Sequence, residues 1–423
     1  MIVRWLYNLL LWAMTPGVAL YLLRRARKQP AYKLNWDERW ARYQQPTRVS
    51  GVIWLHAVSV GEVRAAVPLI NALERAWPGR PLLLTCMTPT GRETAQSLLG
   101  DRVEIAYLPY DYPGATQRFL KRYQPLFGLL METELWPNLV HACQRRKVPL
   151  FLVNARLSAK SAEGYRRVRW LLSPAITGLT GTFAQSKADA ERLIALGAQN
   201  VSVVGNVKFD FEPATELVAR GAHWRTLVGD RPVLLIASSR EGEEPLLLDA
   251  LEAVTLPPHT LLVLVPRHPQ RFNEVAELLS QRGVRSLRRS AWDETPIPLE
   301  TTVLLGDSMG ELNAWYALAD LAIIGGSILP FGSQNLIESC AAGTPVVLGP
   351  STFNFAQAAQ LALEVGAARQ GQDATEVARL AAQWLNNRSA RAEASKIATR
   401  FASAHRGATQ RVLDLLKRRV PRD

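Results

Sequence analysis

The chain has 423 residues, 48% of them hydrophobic, with 50 Lys/Arg against 37 Asp/Glu and a formal net charge of +13 at pH 7. That length exceeds one ordinary core and points to two domains, and the basic balance calls for an anionic partner: nucleic acid, a membrane surface or a phosphorylated substrate. Cys86, Cys143 and Cys340 are scattered and the six histidines form no HxxxH or HExxH pair, which argues against a disulfide scaffold and a metal site alike.

From Ile2 to Leu23 the sequence is mostly apolar, carries Trp5, Tyr7, Trp12 and Tyr21, and runs directly into Arg24, Arg25, Arg27 and Lys28. This is the pattern of a membrane anchor with a basic flank, residues 1–28. Its length suits a hydrocarbon core of roughly 30 Å, while Arg4, Asn8 and a break at Pro16–Gly17 favour attachment over crossing. If it crosses, the basic cluster holds the rest of the chain on the cytoplasmic side. No small-residue cleavage site precedes the basic run, against a cleaved signal peptide. Beyond it, Trp36, Trp40 and Tyr43 interleave with Lys33, Arg39 and Arg42, and Arg48 follows. That stretch reads equally well as an interfacial segment and as an amphipathic helix packed on its own domain.

From Val52 onward short apolar runs alternate with amphipathic ones, the signature of parallel strands joined by crossover helices. Strands are expected at 52–57, 81–87, 103–108, 126–131, 149–153 and 181–185, then at 233–237, 260–265, 302–305, 321–324 and 345–348. Gly205, Asn206 and Pro213 mark a linker within 201–231, ahead of a polar helix and Asp230-Arg231-Pro232. The domains are therefore drawn at 29–212 and 213–423, with a helical tail from about 387 to 419 that packs back on one of them.

The loops after these strands hold the chemistry, because open α/β sheets bind ligands at the carboxyl ends of their strands. His56-Ala57-Val58-Ser59-Val60-Gly61-Glu62 brings a carboxylate to a helix start, where the helix dipole also makes an acid comfortable for structural reasons alone. Met131-Glu132-Thr133-Glu134-Leu135-Trp136-Pro137 ends an apolar strand in two carboxylates, and these need a partner. Arg156, in Asn154-Ala155-Arg156-Leu157-Ser158, is the obvious cation, and Lys208 sits near the domain junction. In the second half Ala237 to Glu244, Pro266-Arg267-His268-Pro269, Gly306 to Leu312, Gly325-Gly326-Ser327 and Phe331 to Glu338 are glycine-rich or cationic loops in strand–loop–helix order, suited to a nucleotide-sugar phosphate.

Taken together, these stretches resemble the bacterial Kdo (3-deoxy-D-manno-octulosonic acid) transferases over nearly the whole chain, most specifically in Met-Glu-Thr-Glu-Leu-Trp-Pro. The resemblance implies an α/β GT-B fold: two Rossmann-like domains facing a central cleft, an acceptor domain first and a CMP-Kdo domain second. It implies a membrane-anchored enzyme that moves Kdo from CMP-Kdo to a lipid A precursor with inversion, needing neither metal nor cofactor. It places the enzyme at the anionic inner membrane surface with its catalytic domains on the cytoplasmic side. By the same resemblance Glu62 is the general base, and Glu132 and Lys208 act on the transition state. Pro266, Arg267, Met309, Gly310, Glu311, Asn335, Leu336, Ile337 and Glu338 match the family's CMP-binding stretches. Where many relatives read Gly-Gly-His-Asn-Pro-Leu-Glu, this chain reads Phe331-Gly332-Ser333-Gln334-Asn335-Leu336-Ile337-Glu338, so no role for that histidine transfers.

The competing readings are a GT-B enzyme using a UDP-sugar and a lipid acceptor, a non-hydrolysing nucleotide-sugar epimerase, and a non-enzymatic basic membrane-binding module. Nucleic-acid binding is not expected, since stacking aromatics and an RNA-binding motif are not evident.

Overall fold

The computed structural model describes residues 2–43 and 50–420; Arg48 and the side chain of Lys28 lie outside what it describes. Contacts divide the chain into two units, residues 1–210 with 406–423, and residues 211–405.

The first unit is built on a seven-stranded parallel sheet: β1 (Ile53–His56), β2 (Leu82–Cys86), β3 (Glu104–Tyr107), β4 (Phe127–Met131), β5 (Leu150–Ala155), β6 (Gly181–Ala184) and β7 (Val201–Val203). Their order is β3-β2-β1-β4-β5-β6-β7. Helices cover both faces, so Ile53, Trp54, Leu55 and His56 are all buried where a one-faced sheet would alternate. The connection leaves β1 toward β2 on one side and returns through β4 on the other, which makes the β1/β4 boundary the topological switch point.

The second unit repeats the plan with β8 (Val233–Ser239), β9 (Leu261–Pro266), β10 (Ser286–Arg288), β11 (Val303–Leu305), β12 (Leu321–Ile324), β13 (Val346–Leu348) and β14 (Ala368–Gln370). The order β10-β11-β9-β8-β12-β13-β14 puts its switch point between β8 and β12. There the backbones close so tightly that a Cβ on Gly325 would lie 2.3 Å from the carbonyl oxygen of Ser238. Only glycine permits that approach.

Every strand expected from the sequence is present, and β7, β10 and β14 were not expected. The expected linker at 201–231 carries, besides the polar helix read there (Thr215–Val228), the strand β7 and a 3₁₀ turn at Val207–Asp210. Trp224 of that helix is fully buried against Trp292 and Trp315, which is why a polar-looking stretch is held as structure. The helical tail is two helices, Arg388–Ala404 and Ala408–Arg419. Between them Gly407 adopts φ +92°, and the Asp210 carboxylate accepts the amides of Gly407, Ala408 and Thr409, starting a new helix within the first unit.

Near the N-terminus the helix Ile2–Lys28 runs through Pro16–Gly17 without interruption, contrary to the break read there. It is long and apolar enough to cross a membrane by length and composition. The aromatic stretch after it packs on its own domain: Trp40 meets Tyr110 and Tyr112, and Tyr43 meets Tyr123. Arg39 is 2% exposed and lies over the Tyr107 ring, so that cation is spent on the fold.

Candidate active site

At the switch point of the first unit three carboxylates and one ammonium come together. Glu62 lies in the first turn of the helix Val60–Ala76, which follows β1. The Val58 N–H donates to its Oε2 (2.9 Å) and the Ser59 hydroxyl to its Oε1 (3.0 Å), which orients the carboxylate and leaves each oxygen a free lone pair. Burial, together with the Glu132 and Glu134 charges and against those two hydrogen bonds, pushes the Glu62 carboxyl up to about 7.

Glu132 begins the loop after β4 with φ +57°, the left-handed region that a non-glycine residue enters at a cost of about 1–3 kcal/mol. Its Oε1 accepts from Lys208 Nζ at 3.0 Å. The partner is thus Lys208 and not the nearby Arg156. Two asparagines set the lysine in place: Asn154 Oδ1 accepts from the Val207 N–H (3.1 Å), and Asn206 Oδ1 accepts from the Lys208 N–H (3.0 Å). The rest of the motif is spoken for. The Trp136 indole donates to Glu134 (2.9 Å), whose carboxyl is raised by burial and by Glu132, and Thr133 donates to the Arg156 carbonyl. Pro137 opens the next helix.

His56, which opens the stretch that ends in Glu62, is a core residue. It is fully buried with Nδ1 2.9 Å from the Thr85 hydroxyl, and burial lowers it to about 4. It holds β1 to β2 as an uncharged ring.

In the second unit the strand ends carry a cluster of cations. Arg267 follows β9 and donates from Nε to Gln334 Oε1 (3.2 Å), and Arg240 follows β8 and lies over the Phe331 ring. His268 beside them is lowered chiefly by burial and further by the charges of Arg240 and Arg267. Pro266, the last residue of β9, is buried and stiffens this loop.

In the Ala237–Glu244 loop, read as a source of hydroxyl and amide donors, two of those donors are engaged within the loop itself. The Ser239 hydroxyl is committed to Glu244 (2.6 Å) and the Arg240 N–H to Glu243 (2.9 Å). Glu243, fully buried, also accepts from the amides of Gly326, Ile328 and Leu329 after β12. Glu244 is closed off by Arg271 (2.6 Å). These acids shape the loops and are not open to a ligand.

The remaining expected residues fall in two places. Met309 is 57% exposed and Gly310 takes φ +84° in the loop after β11. Glu311 ends that loop, bonded to Ser308, Arg289 and Arg220; burial opposes its ionisation, but these partners outweigh burial and lower the carboxyl. Asn335 caps the short helix Leu336–Ala341, taking the Ile337 N–H on Oδ1 and giving Nδ2 to Glu338 Oε1 (2.9 Å). Leu336 and Ile337 are fully buried and lend only backbone. Gln334 escaped the sequence reading although it stands directly before Asn335; its link to Arg267 is a contact between strand ends 67 residues apart.

Among the described residues no three His, Cys, Asp or Glu side chains form a metal-binding group.

Two parallel-sheet α/β units, each with charged or glycine-rich loops at the carboxyl ends of its central strands, define a GT-B-like fold. The fold is similar to that of a UDP-GlcNAc 2-epimerase from Neisseria meningitidis bound to UDP-GlcNAc, with a TM-score of 0.59 and 13% identity, over 86% of this chain and 99% of that one. Sequence relatives narrow this. Residues 34–211 match the family model described as 3-deoxy-D-manno-octulosonic-acid transferase (kdotransferase). The chain is 43% identical over 430 residues to 3-deoxy-D-manno-octulosonic acid transferase of Bordetella pertussis, covering 98% of this chain and 99% of that one. It is 37% identical over 421 residues to the enzyme of the same name from Haemophilus influenzae, covering 98% of each. The chain belongs to the 3-deoxy-D-manno-octulosonic acid transferase family, and it is a glycosyltransferase.

Proposed function

We propose that the donor is CMP-Kdo and the acceptor a lipid A precursor, and that transfer proceeds with inversion, without a metal ion or other cofactor, on the cytoplasmic side of the inner membrane. The observation that carries the reading is Glu62: a half-buried carboxylate, oriented by two hydrogen bonds, with its pKa near 7. A base matched to the working pH is what proton removal from a sugar hydroxyl needs. The acceptor hydroxyl gives its proton to Glu62 as its oxygen attacks the anomeric carbon. The bond from that carbon to the CMP phosphate oxygen breaks, and CMP leaves with the electron pair. A direct displacement of this kind inverts the centre.

Glu132 and Lys208 act as a fixed pair on the transition state, the carboxylate toward the oxocarbenium-like sugar and the ammonium toward developing negative charge. Arg267, supported by Gln334, takes the leaving phosphate with Arg240 nearby, and Pro266 fixes its loop. Glu338 and Asn335 bind the nucleotide, with Met309, Gly310 and Glu311 forming a second part of that site and Leu336 and Ile337 supporting it from the core.

Incubation of the purified chain with CMP-Kdo and a tetra-acylated lipid A precursor should give a product heavier by one or more Kdo units, with CMP released in equal number. CMP should compete with the donor and UDP should not. Transfer from a UDP-sugar under the same conditions would instead support the UDP-sugar reading.

A further inference from the structure

The loop that carries Lys208 is tied at both ends to the last helix of the chain. After β7 the backbone runs through Val204, Gly205 and Asn206 into the 3₁₀ turn Val207–Asp210, which holds Lys208. Where the loop begins, Arg411 donates from Nε to the Val204 carbonyl (2.7 Å). Where it ends, the Asp210 carboxylate takes the amides of Gly407 and Ala408 on Oδ1 and that of Thr409 on Oδ2. A carboxylate engaged through both oxygens cannot swing, and Asp210 stands two residues after Lys208.

The helix Ala408–Arg419 starts from Gly407, which has no side chain to cap it. Its first amides are satisfied by an acid 197 positions earlier instead. The same helix backs Glu62. Ala408, Val412 and Leu416 lie in one buried apolar cluster with Val63 and Ala66 of the helix Val60–Ala76 and with Val207 of the turn. One element therefore supports both the helix that presents Glu62 and the turn that presents Lys208. The Lys208 ammonium is mostly buried and meets Glu132 at 3.0 Å. An interaction that acts on developing charge depends on such placement, and a shift of about 1 Å is enough to cost a large factor in rate.

We infer that Asp210 and Arg411 are positioning residues of the transfer reaction, which hold Lys208 against Glu132 by fastening its loop to the helix Ala408–Arg419. The inference rests on the proposed role of the Glu132–Lys208 pair. It adds a consequence for pH. The Glu132 charge raises Glu62, and the Lys208 ammonium offsets that charge. If Lys208 drifts from Glu132, Glu62 rises further and the acid limb of kcat/KM moves to higher pH. Loss of folded protein alone would lower the rate without moving the limb.

The test is a double-mutant cycle on the full chain, with each variant assayed below its own melting transition so that every rate refers to folded protein. Asp210→Ala should lower kcat about tenfold to a hundredfold and move the acid limb upward, with CMP binding unchanged. Asp210→Asn, which keeps an acceptor oxygen for the helix amides, should restore most of that loss. Combined with Lys208→Ala, Asp210→Ala should add little to the loss that Lys208→Ala causes alone, because it acts through the same ammonium. Losses that multiply would make Asp210 a prop of the fold and overturn the inference, and so would wild-type kinetics in Asp210→Ala beside an impaired Lys208→Ala. Normal turnover in Lys208→Ala itself would remove the pair from the reaction and the inference with it. If Asp210→Ala does not fold, Arg411→Ala takes its place in the same cycle, with the same outcomes deciding.

Discussion

The two units place acids at equivalent positions and use them in opposite ways. Glu62 follows the central strand β1 and Glu243 follows the central strand β8, each in the first turn of the next helix and each at a switch point. Glu243 accepts four backbone amides, from Arg240, Gly326, Ile328 and Leu329, and is fully buried. Glu62 accepts one amide and one hydroxyl, is half-buried, and faces two other carboxylates. Saturation with donors makes an acid a structural rivet, whereas partial satisfaction beside like charges leaves it basic enough to take a proton.

The strongest way to break this contrast is to neutralise each acid in turn. Glu62→Gln keeps the shape and should lower kcat by about 10²–10⁴ with little change in CMP binding or melting temperature. Steady-state kinetics beside a CMP titration checks it, and near-normal turnover would reduce Glu62 to a helix-start acid. Glu243→Ala should do the reverse, leaving buried amides unpaired and costing at least about 3 kcal/mol. Calorimetry would register this as a lower melting transition, and an unchanged melt would mean that the loop after β12 does not depend on Glu243.

Glu338 tests the comparison inside the second unit, because its Oε1 accepts from Asn335 Nδ2 in the first turn of the helix Leu336–Ala341. Glu338→Ala should raise the CMP dissociation constant about tenfold to a hundredfold, the loss of a charge-assisted bond worth about 1.5–3 kcal/mol. Equal constants in calorimetric titrations would make it a support for Asn335 alone. The smallest effect concerns pH. A proposed base at Glu62 would act only when deprotonated, so kcat/KM should rise with pH through about 7. Glu134→Gln removes one charge that raises Glu62, and the acid limb should move to lower pH. A limb that stays in place would show that Glu134 contributes nothing and that burial and Glu132 set the Glu62 value.

Eleven strands, both switch-point loops and the acidic motif were legible because apolar runs and charged strand ends are local signals. The three strands that were missed share a cause. β7, β10 and β14 are three-residue strands at sheet edges, and they include Ser202, Ser286, Arg288, Arg369 and Gln370. An edge strand pairs on one side only and is kept short and polar, so its composition resembles a loop.

The sequence by itself determined two parallel α/β units, an apolar N-terminal helix and the acids at the strand ends, since period and composition follow from burial along the chain. Tertiary structure decided what those residues do. Nothing local distinguishes Glu62 from Glu243, or shows that Lys208 rather than Arg156 meets Glu132, or that Asn8 faces Asn138 across 130 residues. Each outcome depends on donors supplied by distant segments, and the number of hydrogen bonds a carboxylate or amide receives in the folded chain fixes whether it is free to act.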